Sequence, residues 1–138
     1  SNMTLMKLSN KSNCHCYIMN KNFGDYYLPT RFQYVILRDY FNKINAVFNM
    51  PQGEPVFTRT NIRLRSLIDE LKPNSYLILL SIYMLPENRI IRNEIISKMI
   101  KKKIELHLIF EKTIINKKED FKKINDILKL NKLTNKNK

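Results

Sequence analysis

Apolar positions recur along this chain with helical or strand spacing, except in one run that has no spacing at all. From Tyr76 to Leu80 five apolar side chains follow one another without a polar break. Such a run marks a strand covered on both faces, as in the middle of a parallel sheet. Lys72, Pro73 and Asn74 precede it as a helix stop and a turn. Ser81 and Tyr83 fall where the strand over residues 75–81 ends, and Pro86 with Glu87 opens the next helix.

The other elements are placed around this one. Residues 14–20 predict a short first strand, followed by a polar loop at 20–25. A first helix is expected over 29–44, with Phe32, Ile36, Tyr40 and Ile44 as its apolar face and Val35 and Leu37 beside it. Residues 46–50 predict a second strand. Pro51, Gln52, Gly53, Glu54 and Pro55 then break the chain into a loop that runs to about Arg59. A second helix follows, capped by Thr60 or Asn61, with Leu64, Leu67, Ile68 and Leu71 at i, i+3, i+4, i+7. The third helix spans 86–102, with Ile91, Ile95 and Met99 as its stripe and Ile96 and Ile100 beside it. A fourth strand at 104–110 ends near Glu111. A last helix at 117–132 has Phe121, Ile124 and Leu128 as its stripe, and a lone helix could not keep that stripe in water. It must cover the sheet or meet the same helix of a second copy, so a homodimer through the C-terminal helix is expected.

Strand and helix alternate four times over connections short enough for right-handed crossovers. The expected fold is α/β: a small doubly wound parallel sheet of about four strands in the order 2-1-3-4, with helices on both faces. Residues 1–13 form an expression-tag scar (Ser1-Asn2) and an extension, residues 14–132 one domain, and residues 133–138 a disordered tail. Ligands of such sheets gather at the carboxyl ends of the strands, here between the first and third.

Composition narrows the function. The 138 residues carry a net charge of +13, which invites a nucleic-acid partner. Lysine, isoleucine and asparagine, however, make up 53 of the 138 residues, as an AT-rich coding sequence produces. Residues 112–138 hold nine lysines against Glu119, Asp120 and Asp126, so +6 of the excess belongs to a C-terminal segment. Nucleic-acid binding is therefore not favoured. No apolar run is long enough to enter a membrane, and a cytoplasmic location is expected. With two glycines in all, the chain has neither a Walker loop nor the three-glycine dinucleotide fingerprint, and no cofactor is expected. Cys14, His15 and Cys16 alternate faces on a strand, which makes them buried strand residues rather than a metal site.

No nucleophile, base and orienting group come together in a motif, so catalysis stays open. Arg59, Arg63 and Arg65 cluster at the start of the second helix, where cations oppose the helix dipole; a solvated basic face is the first expectation, and a ligand anion or a carboxylate of the fold is the alternative. Arg38 and Asp39 stand inside an apolar helix surface. For a ligand site the residues at the switch point are Asn20, Lys21, Arg38, Ser81 and Tyr83. Lys21 and Arg38 would meet an anionic group, Asn20 and Ser81 hydroxyls, and Tyr83 a ring face.

The succession CYIMNKNFGDYYLPTRFQYVILRDYF, NIRLRSLIDEL, SYLILLSIYMLPENR and KKKIELHLIF resembles the sporadic carbohydrate cluster family of small bacterial proteins. The matching features are the tyrosine strand with its polar loop, the helix motif Leu37-Arg38-Asp39-Tyr40, and the strand end in which Ser81 is followed by Leu85-Pro86-Glu87. The resemblance implies an accessory protein or undefined enzyme of surface polysaccharide biosynthesis (lipopolysaccharide or capsule), with a sugar or nucleotide-sugar ligand. The layout is also similar to the catalytic domain of serine recombinases (resolvases) and to flavodoxins. At the positions of the recombinase serine and arginines stand Lys21, Met19, Met84 and Glu87. The alternative function this implies is a DNA-associated module without recombinase activity.

Overall fold

A computed structural model describes residues 13–49, 51–54 and 61–136. The tag scar, Arg59, Thr60 and the last two residues of the expected tail lie outside them. Among the described residues five strands and five α-helices follow in the order β1 (Cys14–Met19), α1 (Thr30–Lys43), β2 (Gln52–Glu54), α2 (Ile62–Glu70), β3 (Tyr76–Leu79), α3 (Arg89–Lys102), β4 (Glu105–Leu108), β5 (Thr113–Ile115), α4 (Lys118–Lys122) and α5 (Ile124–Lys136). The sheet order is β2-β1-β3-β4-β5.

β3 lies between β1 and β4 and is parallel to both, with Cys16, Ile78 and His107 in register across the three. Leu77, Ile78, Leu79 and Leu80 are all fully buried. The unbroken apolar run is thus the two-sided centre of the sheet. A right-handed crossover puts α1 on one face as the chain moves outward to β2. The same rule puts α2 and α3 on the other face as it returns to β3 and goes on to β4.

Several expectations are corrected. The sheet is mixed rather than all parallel, because β5 folds back antiparallel on β4 through a turn at Lys112, where φ is 52°. The second strand is not at 46–50 but at Gln52–Glu54, pairing with Tyr17–Met19. Pro51 and Gly53 are tolerated because an edge strand needs only one ladder of hydrogen bonds. The buried face of α1 is Gln33, Leu37, Phe41 and the following Ile44, whereas Phe32 and Val35 are exposed. α3 begins three residues after Pro86: the Asn88 carboxamide accepts from Ile91 N at 3.0 Å and caps it. Asn61 precedes α2 but makes no side-chain cap; it donates to Met84 O instead. The last helix is broken at Lys123, and α5 continues to Lys136, into the segment expected to be a disordered tail.

Polar side chains fasten the layers. Lys102 donates to the carbonyls of Ile68, Asp69 and Leu71 at 2.7–2.9 Å, and so binds the end of α2 to α3. Arg65 pairs with Glu94 at 3.2 Å, which supplies a carboxylate of the fold for one of the arginines at the start of α2. Buried Arg92 donates to Asn125 at 2.6 Å and to the carbonyls of Pro86 and Glu87. It thereby ties α5 to the turn that precedes α3. Phe121 and Ile124 are buried within this chain, so part of the stripe expected to pair two copies is already covered.

Candidate functional site

At the carboxyl end of the sheet β3 stops at Leu79, and a single 3-10 turn, Ile82–Met84, follows. Ser81 is fully buried; its hydroxyl donates to Glu111 Oε2 at 2.8 Å, and Ile82 N donates to Oε1 of the same carboxylate at 2.8 Å. Tyr83 N in turn donates to Ser81 Oγ. One carboxylate from the β4–β5 turn therefore closes the end of β3. Ser81, expected to bind a ligand hydroxyl, has its own hydroxyl committed inside the protein.

Rings of the loop after β1 pack over the ends of β3 and β4. Tyr26 lies 4.9 Å from Phe110 and 5.8 Å from Phe23, centroid to centroid, and 6.4 Å from Tyr83. Gly24, at φ 63°, passes so close to Tyr83 that a Cβ would stand 2.6 Å from Tyr83 Cγ. Tyr83 thus packs against the 20–25 loop, and Asn20 is exposed at the end of β1 while Lys21 is half-buried. Beneath them Gln33 accepts from Met19 N at 3.1 Å and donates to Met19 O and Leu28 O, each at 2.7 Å. A buried carboxamide thereby satisfies both backbone groups of the last residue of β1.

Arg38 does not join this cluster. It extends from the exposed side of α1 and lies over the Phe48 ring, 5.5 Å from its centroid. There it lines a groove of about 790 Å³ between α1 and residues 46–48, together with Arg31, Tyr34, Val35 and Asn42. The volume lies within the roughly 300–1,000 Å³ usual for small-molecule sites. Arg31 lies over the Phe32 ring at 5.2 Å. Asp39, the carboxylate that lines the groove among the described residues, pairs with Lys43 at 3.0 Å rather than with its neighbour Arg38. Of the five expected site residues the structure gathers Asn20, Lys21, Ser81 and Tyr83 at the filled pole and places Arg38 in the groove. Arg31, Tyr34, Asn42 and Phe48 were not singled out from the sequence. For the three on α1 the signal was present in the spacing of 31, 34, 35, 38 and 42, which share one helical face; Phe48, outside the helix, had no such signal.

A second polar group lies on the α1 face of the sheet. Buried His107 meets Glu105 through Nε2 at 2.8 Å and the Tyr40 hydroxyl through Nδ1, and Asn116 donates to Glu105 at 3.3 Å. With the ring proton on Nε2, His107 donates to Glu105 and accepts from Tyr40. The His107 hydrogen bond holds the Glu105 carboxyl below the usual range, against the opposing effect of burial. Burial, then Glu105, then Cys14 push the Tyr40 hydroxyl up to about 12, so it keeps its proton at neutral pH. This line fastens α1 to β4. Cys14 and Cys16 are free, buried thiols raised to about 11 and about 12, chiefly by burial, which leaves almost no thiolate to react. Among the described residues no cluster of three or more His, Cys, Asp or Glu is placed to hold a metal ion, and no helix is long and apolar enough to cross a membrane.

The fold and the groove together define an α/β domain with an arginine-lined surface groove. Comparison with models of protein families, with curated proteins and with solved structures finds no match.

Proposed function

We propose that the chain is a small cytoplasmic binding protein of surface polysaccharide biosynthesis, which takes an anionic sugar or nucleotide-sugar ligand in the groove along α1. The observation that carries this reading is the pair of guanidinium groups, Arg31 and Arg38, on a groove floored by Phe48 and flanked by Tyr34. Arginine binds carboxylate and phosphate through paired in-plane donors. An aromatic ring beside it offers an apolar face to a sugar. The resemblance to the carbohydrate cluster family supports the glycan class of ligand, and the doubly wound layout is in keeping with a flavodoxin- or resolvase-like kinship of architecture. The filled pole argues against the switch point as the binding place, since Ser81 and Tyr83 are engaged within the chain.

A thermal-shift and calorimetric screen of uronic acids, sugar phosphates and nucleoside-diphosphate sugars tests this. One or more should bind saturably, and Arg38→Ala should weaken binding tenfold or more, about 1.4 kcal/mol. If Lys21→Ala or Tyr83→Ala removes binding while Arg38→Ala leaves it intact, the site is at the pole instead. If no anionic sugar binds, the function is a different one.

A further inference from the structure

We infer that the groove recognises two anionic groups about 10 Å apart, so that its ligand is a segment of acidic polysaccharide in which charged sugars are separated by neutral ones. The inference rests on the groove being the binding site. It names the kind of anionic sugar the groove takes.

Arg31 and Arg38 are seven residues apart on α1. At 1.5 Å per residue and 3.6 residues per turn, that places their Cα atoms about 10.5 Å apart along the axis and on the same face. Each guanidinium rests on a ring, Arg31 on Phe32 and Arg38 on Phe48. Stacking limits the freedom of the side chain and occupies the guanidinium face rather than its in-plane N–H donors. Among the described residues neither arginine has a carboxylate partner, since Asp39 is held by Lys43.

What lies between them matters as much. Tyr34 and Val35 line the groove between the two arginines, and Val35 is 65% exposed. An uncharged sugar can lay its apolar face against this band while its neighbours carry the anions. A nucleic-acid strand carries a phosphate on every nucleotide, one per about 3.4 Å of duplex axis, and so would set charges against Val35 with no cation to meet them. The spacing of cation, apolar band and cation fits a sparsely charged chain better than a densely charged one.

Hyaluronan oligosaccharides are a suitable probe, because they carry one carboxylate on every second sugar. Binding of the disaccharide, tetrasaccharide and hexasaccharide to the full chain would be measured by calorimetry, beside a nucleoside-diphosphate glucuronate and a thymidine hexanucleotide. The tetrasaccharide, the first member with two carboxylates, should bind at least tenfold more tightly than the disaccharide. Arg31→Ala and Arg38→Ala should each abolish that gain while leaving the melting temperature nearly unchanged. Equal affinity for disaccharide and tetrasaccharide, or a tetrasaccharide that does not bind, overturns the two-point inference. The groove reading survives either result if the glucuronate still binds through Arg38, and falls with it if it does not. Tighter binding of the hexanucleotide than of the hexasaccharide, with a steep loss on adding salt, also overturns the inference and makes the partner a nucleic acid.

Discussion

The switch-point pole and the groove along α1 are built from the same kinds of residue, aromatic rings and polar groups, yet they are left in opposite states. At the pole the polar groups face partners of their own chain: Ser81 and Ile82 meet Glu111, and Gln33 meets Met19 and Leu28. At the groove Arg38 rests on Phe48 and Arg31 on its neighbour Phe32, and among the described residues the lining carboxylate is taken by Lys43. Topology creates a crevice wherever two crossovers diverge. Side chains decide whether that crevice is filled. A buried hydroxyl or amide that already has its partner offers little to a ligand, because the exchange leaves another buried group bare.

The largest expected effect comes from emptying the pole. Gln33→Leu keeps the volume but strips partners from Met19 N, Met19 O and Leu28 O, at about 1–3 kcal/mol for each group left unsatisfied. Urea denaturation should show a loss of several kcal/mol. A loss below about 1 kcal/mol would mean that water enters there, and that the pole is more open than its hydrogen bonds imply.

Gly24→Ala comes next. The substitution combines a positive φ with a Cβ 2.6 Å from the Tyr83 ring, which should cost about 1–3 kcal/mol. An unchanged melting temperature would show that Tyr83 swings away freely, and the contrast between the two regions would weaken.

The contrast extends to pH. The folded Glu105 carboxyl lies below its ordinary value, so the unfolded chain binds that proton more readily. Its contribution is complete above the unfolded value, about 4.3, and is lost as pH falls through the lower folded value. Glu105→Gln should therefore flatten the loss of stability between neutral and acid pH. Asp39→Asn should change stability little at neutral pH, because the Asp39–Lys43 pair is exposed at 62% and 71% and contributes little. Denaturation midpoints measured across that range in both variants decide it.

The smallest change in stability is expected in the groove itself. Arg31→Ala and Arg38→Ala should each stay within about 0.5 kcal/mol of the parent, as exposed positions do, whatever they do to binding. A larger loss for Arg38→Ala would show that its stacking on Phe48 holds residues 46–48 in place, and that the groove is a structural joint.

By itself the sequence determined the centre of the molecule. An unbroken apolar run such as Tyr76–Leu80 has no polar side to turn to water, so it can only be a strand covered on both faces, and it is. The periodic stripes of α2 and α3 were legible for the same reason, as burial of Leu64, Leu67, Ile68, Ile95 and Met99 shows. Arg38 was recognisable as an oddity in an apolar helix surface, but not as a groove residue. Tertiary structure alone decided the rest. Gln52–Glu54 has no strand pattern and becomes a strand because β1 offers it a free ladder of backbone groups. On α1 two candidate stripes differ by one residue, about 100° of rotation, and only contact with the sheet chose Gln33, Leu37 and Phe41 over Phe32 and Ile36. That choice sent Arg31 and Arg38 to the open side. Ser81 and Tyr83, plausible ligand residues in one dimension, were claimed by Glu111 and Gly24, partners 30 and 59 positions away in the chain. Hydrogen bonds and ring contacts between distant segments leave no period in the sequence, and they settled which of two similar regions is filled and which is open.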